Sequence, residues 1–364
     1  MAQPPPSPAQ SQLDVRKDMV RGCSYHRLDF DLAVASVNPT SHEPVRASLI
    51  QHTPASASLG DLQVLPLEIL REICLHLDIA SLFSIRHVNK QARSMVHALH
   101  PYRRIINHAL DTLCVVFRTT TASHFTLSDL TRALNTKKCH TCGSFAHFIF
   151  LPTLSRTCLG CLQEAPQFHV LSQADLKKKC TMKAIINHVS KSVPPLKTLP
   201  GKYRLDQISQ TKSMLLFSER LVNSALRVPH STKPSSHWEA NILRLMAATT
   251  MPYVDPVTGD VEIGVSCAGC QIAVDEVDDE GAFLSFEFMN GGDLYRQRDM
   301  VYSEEEFLAH FKECRQAQKL WDSSLGGKCP VDLPYSVTHG GSFEDVEASA
   351  SHLQDAGSGS PTSQ

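Results

Sequence analysis

The sequence predicts a mainly α-helical protein with small β elements. It is read as a three-helix N-terminal segment followed by small cysteine-stapled α+β modules, between disordered termini. Three observations predict this. An apolar stripe at helical spacing begins at Leu65, cysteines recur as Cys-x-x-Cys pairs at 139–142, 158–161 and 267–270, and Pro, Ser, Ala and Gln crowd both ends of the chain. A hydrophobic fraction of 42% with 20% charged residues is ordinary for a globular chain, and a net charge of −2 gives no general attraction to nucleic acid or an anionic membrane.

Composition sets the outer boundaries. Residues 1–60 and 326–364 are polar and low in aromatics, so they bury too little apolar surface to offset their ordering entropy and are expected to be disordered. The opening "MAQPPPSPAQSQLDVRKD" has no basic stretch leading into an apolar core, so no secretory signal is expected. No run of ~18 apolar residues suggests a membrane span. An intracellular setting, cytoplasmic or nuclear, follows as the expectation, and thiols stay reduced there.

Residues 61–105 hold the helical segment. Pro66 suits the first turn of a helix and Glu68 its positive end. Leu65, Ile69, Leu70, Ile73, Cys74 and Leu77 form one stripe at three- and four-residue spacing. Asp78 or Ser81 can cap a second helix carrying Leu82, Phe83, Ile85 and Val88, and Asn89 opens a third through Ala92, Met95 and Val96. So small a bundle is marginal alone, and its surplus apolar residues are expected to find burial in a partner.

Residues 106–190 carry a helical stretch and the first cysteine group. Cys139 and Cys142 are separated from Cys158 and Cys161 by fifteen residues, a spacing typical of zinc sites. Each pair makes a knuckle, two knuckles complete a tetrahedron, and Gly143 and Gly160 offer the turns backbone freedom. The apolar run between the pairs is expected to form a short hairpin. Four thiolates leave no open coordination position, so the zinc is expected to be structural and not catalytic.

Residues 191–236 read as a linker because of their Pro and Ser clusters, and residues 237–325 as a C-terminal α+β module. There Cys267 and Cys270 form another knuckle. Ser303 and Glu306 have the spacing of a capping box, so a helix is expected to start there and to place His310 and Cys314 on one face. These four residues predict a second structural zinc site, covered by Phe307, Phe311 and Trp321. Pairing across the groups, such as Cys139 and Cys142 with Cys267 and Cys270, is the alternative; shorter loops favour local closure.

Residues 65–93 resemble the F-box, the segment by which substrate adaptors of SCF ubiquitin ligases dock on the Skp adaptor protein. The matching residues are Leu65, Pro66, Glu68, Ile69, Leu70, Ile73, Leu77, Ser81, Leu82, Arg86, Val88, Lys90 and Arg93; Ala92 stands where many F-boxes have Trp. The resemblance implies that Leu65, Pro66, Ile69, Leu70, Ile73, Leu77, Leu82 and Val88 face Skp. Over about residues 60–325 the chain also resembles a group of F-box proteins of filamentous ascomycetes. That likeness rests on Tyr102, Arg103 and Ile105; on Cys139, Cys142, Gly143, Phe145, Phe150, Leu151, Pro152, Thr153, Arg156, Cys158, Cys161 and Leu162; on Leu199, Pro200, Gly201 and Tyr203; and on His310, Cys314, Leu320 and Trp321. It implies a non-catalytic adaptor of a cullin–RING ligase that presents an unknown protein substrate.

A zinc-stapled nucleic-acid or chromatin protein is the alternative. Arg86 to Lys138 holds nine Lys and Arg against two Asp, while the region from Asp255 to Glu306 is acidic. The near-neutral total and the lack of aromatics among the basic residues weigh against it. Enzymes are disfavoured because the sequence has no Gly-rich phosphate loop, no Gly-x-Ser-x-Gly and no His-Glu-x-x-His.

Overall fold

The computed structural model describes residues 8–38, 40, 43–50, 59–179, 189, 191–203, 208–229, 238–279 and 291–341. Helices dominate, and the strands form sheets of two or three members. No helix among the described residues is long and apolar enough to cross a membrane.

Three short helices, Leu67–His76, Ile79–Arg86 and Lys90–His97, form the expected bundle, and local chemistry sets where each begins. Pro66 stands just before the first, and its carbonyl accepts the Leu70 N–H at 3.1 Å. Asp78 caps the second by accepting the Ser81 N–H at 2.9 Å, and Asn89 caps the third by accepting that of Ala92 at 2.8 Å. Leu70, Cys74, Leu82, Ala92, Met95 and Val96 are buried. Helices His100–His108, Leu110–Arg118 and Leu127–Leu134 extend the same apolar core.

The hairpin expected between the cysteine pairs is present. Phe148–Phe150 pairs antiparallel with Ser155–Thr157, and Ala248–Thr250 joins its other edge. All of Phe148–Phe150 is buried, as a short unbroken apolar strand requires. Beside it Arg156, 2% exposed, spends its five N–H groups on five carbonyls. Nε donates to Ala133, Nη1 to Ala146 and Met251, and Nη2 to Leu134 and Pro252. One side chain thus ties the end of helix Leu127–Leu134 to the hairpin and to the segment that follows the third strand.

Three boundaries drawn from composition are corrected. The N-terminal region is folded from residue 8 to residue 38: it holds helix Pro8–Cys23, strand Ser24–Tyr25 and helix Leu28–Ala33, with Cys23, Phe30, Val34 and Ala35 buried. Its strand pairs with Ser266–Cys267, and Arg27 makes a bidentate ion pair with Asp29 while also reaching Asp299. The stabilising surface lies some 240 positions away in sequence, as the pairing Ser24 with Cys267 shows, so a composition window cannot see it. Residues 191–236 are not simply a linker: Leu196–Lys197 pairs with Leu215–Ser218, which pairs in turn with Val170–Ser172. The strands are only two to four residues long, too short for periodicity to show beside the prolines. Within the expected C-terminal tail, residues 335–339 form a helix, and the Gly340 carbonyl accepts the Asp29 N–H at 3.0 Å. A Cβ on Gly341 would fall 2.2 Å from the Asp29 carboxyl carbon, so only glycine fits against that docked segment. Residues 1–7 and 342–364 lie outside the described residues.

A carboxylate between two imidazoles fastens the N-terminal region. Asp31 is 2.6 Å from His26 Nε2 and 2.9 Å from His147 Nε2, while His147 Nδ1 lies 2.9 Å from the Ile263 carbonyl. Burial alone would raise the Asp31 pKa, but the hydrogen bonds from His147 and His26 hold it well below the usual carboxylate range. The bond to Asp31 raises the His26 pKa against the opposing effect of burial. The Asp31 contribution is therefore present throughout neutral pH and is lost only in acid. That of His26 is full below ~6.5 and is lost as pH rises through its elevated folded value. Asp31→Asn is expected to destabilise the chain by ~1–3 kcal/mol, more at pH 6 than at pH 8.5, as read by chemical denaturation at the two values.

Candidate functional site

Two groups of ligand atoms converge as their spacings predict. The Sγ atoms of Cys139, Cys142, Cys158 and Cys161 all lie within 4.8 Å of one another, as do those of Cys267, Cys270 and Cys314 with a ring nitrogen of His310. The cross-group pairing does not occur. A tetrahedral site with metal–sulfur bonds of ~2.3 Å has ligand–ligand edges of ~3.8 Å. Cys142 and Cys158 are 3.6 Å apart, Cys267 and Cys314 3.8 Å, Cys270 and Cys314 3.9 Å, and Cys270 and His310 Nε2 3.3 Å. These separations fit one ion in each group.

Local structure presents the first set. Gly143, at φ 80°, closes the first knuckle, and its N–H donates to the Cys139 carbonyl at 3.0 Å. Cys158 precedes helix Leu159–Glu164 and Cys161 sits in its first turn. Gly160, expected to ease a turn, is an ordinary helical residue with open space around it. Burial first, then the charge of Cys139, raises the Cys161 pKa, so the four sulfurs can all be thiolates only with a cation among them. His147 does not join the set; both of its ring nitrogens face the partners described above. His140 stands exposed beside it.

The second set joins distant parts of the chain. Cys267 ends the strand paired with Ser24–Tyr25, and Cys270 lies in helix Ala268–Asp279. The capping box of Ser303 and Glu306 opens helix Glu304–Phe311, which carries His310, but the expected shared face is corrected: that helix ends at Phe311, and Cys314 caps the next one, Arg315–Ser323. Tyr302 stacks on His310 at 4.8 Å, and Phe307 and Phe311 are buried beside Cys267 and Cys270, with Trp321 packed against them. Sequence reasoning missed two residues. Cys23, buried, directs its thiol at the Ala317 carbonyl at 3.6 Å, and Gly269 lets two helices touch. A Cβ on Gly269 would lie 2.2 Å from the Ala317 nitrogen. The Cys-x-Gly-Cys pattern carried that second signal.

The apolar stripe of helix Leu67–His76 divides in two. Leu70 and Cys74 turn inward at 5% and 2% exposure, whereas Leu65, Ile69 and Ile73, spaced by four, stand out at 38%, 49% and 44%. Adjacent helical positions differ by ~100°, so one row meets the core and its neighbour does not. Pro66 is exposed, Val88 is 72% exposed, and Leu77 is half-buried. Leu70 and Leu82, expected on the docking face, are corrected: both are interior, Leu82 fully so.

Residues 62–104 match the F-box domain. An F-box supports an SCF adaptor role in general and indicates binding to the Skp adaptor. Comparison with curated proteins and with solved structures finds no match.

The basic run does not assemble as a free cationic stripe. Arg86 is buried, Arg132 pairs with Asp129, Lys137 lies 2.7 Å from Glu262, and Arg104 donates to Asn135 and to the Asp255 carbonyl. The basic and acidic regions thus meet each other in part, and the nucleic-acid alternative is not favoured.

Cys158→Ser is expected to lower the bound metal by one equivalent and to loosen the hairpin between the knuckles. Gly269→Ala is expected to remove the other equivalent by parting the helix that carries Cys270 from the one that Cys314 precedes. Elemental analysis of the purified variants checks both.

Proposed function

We propose that this chain is a substrate-recognition adaptor of an SCF-type cullin–RING ubiquitin ligase, docking on Skp through Leu65, Pro66, Ile69, Ile73 and Val88. The observation that carries this reading is the exposed apolar row on the segment that matches the F-box. Full burial of a Leu or Ile side chain is worth ~1.5–3 kcal/mol, and covering the exposed half of each of these contributes about half of that. Three or four of them drive tight docking, while Leu70 and Leu82 hold the bundle in shape from within.

The rest of the chain presents a captured protein for ubiquitination. In this reading it contributes no catalytic group; the conjugating enzyme and the RING subunit of the complex perform the transfer, in cytoplasm or nucleus. Soft thiolate donors in a closed set of four favour zinc at both centres, held by Cys139, Cys142, Cys158 and Cys161 and by Cys267, Cys270, His310 and Cys314. Zinc bound there supplies folding free energy, with apparent values of ~10–16 kcal/mol for structural sites of this type. With every coordination position filled by protein, neither centre is arranged to activate water.

Ile69→Asp with Ile73→Asp is expected to abolish co-purification with Skp while leaving the melting temperature and metal content unchanged. Retained binding would refute the docking assignment. Leu70→Ala is expected to cost ~2–5 kcal/mol of stability and to weaken Skp binding only through that loss, which denaturation midpoints separate from a direct effect.

A further inference from the structure

The hairpin beside the first cysteine group borders a cleft of about 300 Å³ that the adaptor reading does not use. Its walls are the C-terminal part of helix Leu127–Leu134 with Thr136, the turn at Thr153–Ser155, and the knuckle residues Lys138 and His140; Arg156 lines it from within. Three cations border it, Arg132, Lys138 and Arg156, against one carboxylate, Asp129. That carboxylate accepts from the Thr126 N–H and hydroxyl and pairs with Arg132, so the two cancel and the uncompensated charge is that of Lys138 and Arg156.

Among the described residues no carboxylate pairs with Arg156. Its five donors all end on neutral carbonyls, which satisfy its hydrogen bonds but supply no counterion. A fixed positive charge in a low-dielectric wall attracts an anion more strongly than the same charge in water. Donors are also at hand. The Thr153 and Ser155 hydroxyls share one hydrogen bond of 2.8 Å, which leaves one hydroxyl hydrogen free, and Lys138 and His140 are exposed at the rim.

We propose that this cleft binds a phosphate-class oxyanion, with Lys138 and His140 as direct donors, the Thr153–Ser155 pair as a hydroxyl donor, and Arg156 as the fixed field beneath. The group can be free inorganic phosphate or a phosphorylated side chain, which share the same terminal oxygens. The assignment does not depend on Skp docking, so the failure of either leaves the other standing.

The test uses the full-length, metal-loaded chain titrated at constant ionic strength with inorganic phosphate and, separately, with O-phosphothreonine, followed by calorimetry. The expected result is saturable binding that Lys138→Gln weakens by about tenfold or more, the loss of one charge-assisted hydrogen bond, with metal content unchanged. Ser155→Ala, in the turn that lines the cleft, is expected to weaken it as well, again with metal content unchanged. Tighter binding of phosphothreonine assigns a side-chain-borne group, and tighter binding of inorganic phosphate assigns the free ion. No saturable binding of either probe would overturn the proposal and leave these cations as counter-charges to the neighbouring thiolates. Binding untouched by both substitutions would place the anion elsewhere and overturn it equally.

Discussion

A buried guanidinium with nowhere to send its charge constrains the architecture of this protein. Arg156 can remain in the interior only while five carbonyls point at it, and those carbonyls come from residues 133–134, 146 and 251–252. Helix end, hairpin approach and outer strand are therefore held to one geometry. Removing any of the three segments would strand a buried charge, a penalty of several kcal/mol. The helical half and the cysteine-rich half of the chain meet at this point, so the helix end and the first ligand set are held in one hydrogen-bonded frame.

The two ligand sets staple different things. The first closes a local loop and holds a hairpin whose strands have three residues each, too short to stand alone. The second gathers segments from across the chain. Strand Ser24–Tyr25 pairs beside Cys267, the Cys23 thiol reaches the Ala317 carbonyl, and Gly269 brings two ligand-bearing helices into backbone contact. Both ends of the described chain thus belong to the second module, with Gly340 returning to Asp29. The apolar core around this module is small, and a cation held by its four ligands would offset that deficit.

The division of the apolar stripe separates a row that serves the core from a row that stays exposed. A helix that packs on one side needs one row of apolar residues, and Leu70 with Cys74 provides it. The second row, Leu65, Ile69 and Ile73, has no use within the fold and stays exposed together with Val88. Such surplus apolar surface is costly in water unless another chain covers it.

Much of this was legible in the sequence because the signals are local. Capping by Asp78, Asn89 and Ser303, the helical stripe and the three Cys-x-x-Cys knuckles act over spans of a few residues, and the hairpin at 148–157 lies between ligands that bracket it. The membership of the second ligand set was readable, but not its geometry: helix Glu304–Phe311 ends before Cys314, so His310 and Cys314 converge across a helix break and not from one helix face. Only the tertiary structure decided which half of the stripe faces inward, that Arg156 is the joint between the two halves, and that residues 8–38 and 335–341 are packed rather than disordered. Those outcomes depend on partners distant in the chain: Ser24 with Cys267, Asp29 with Gly340, Arg156 with Met251. Composition and periodicity describe a segment's own residues, whereas burial is set by the surface a segment meets after the chain has closed.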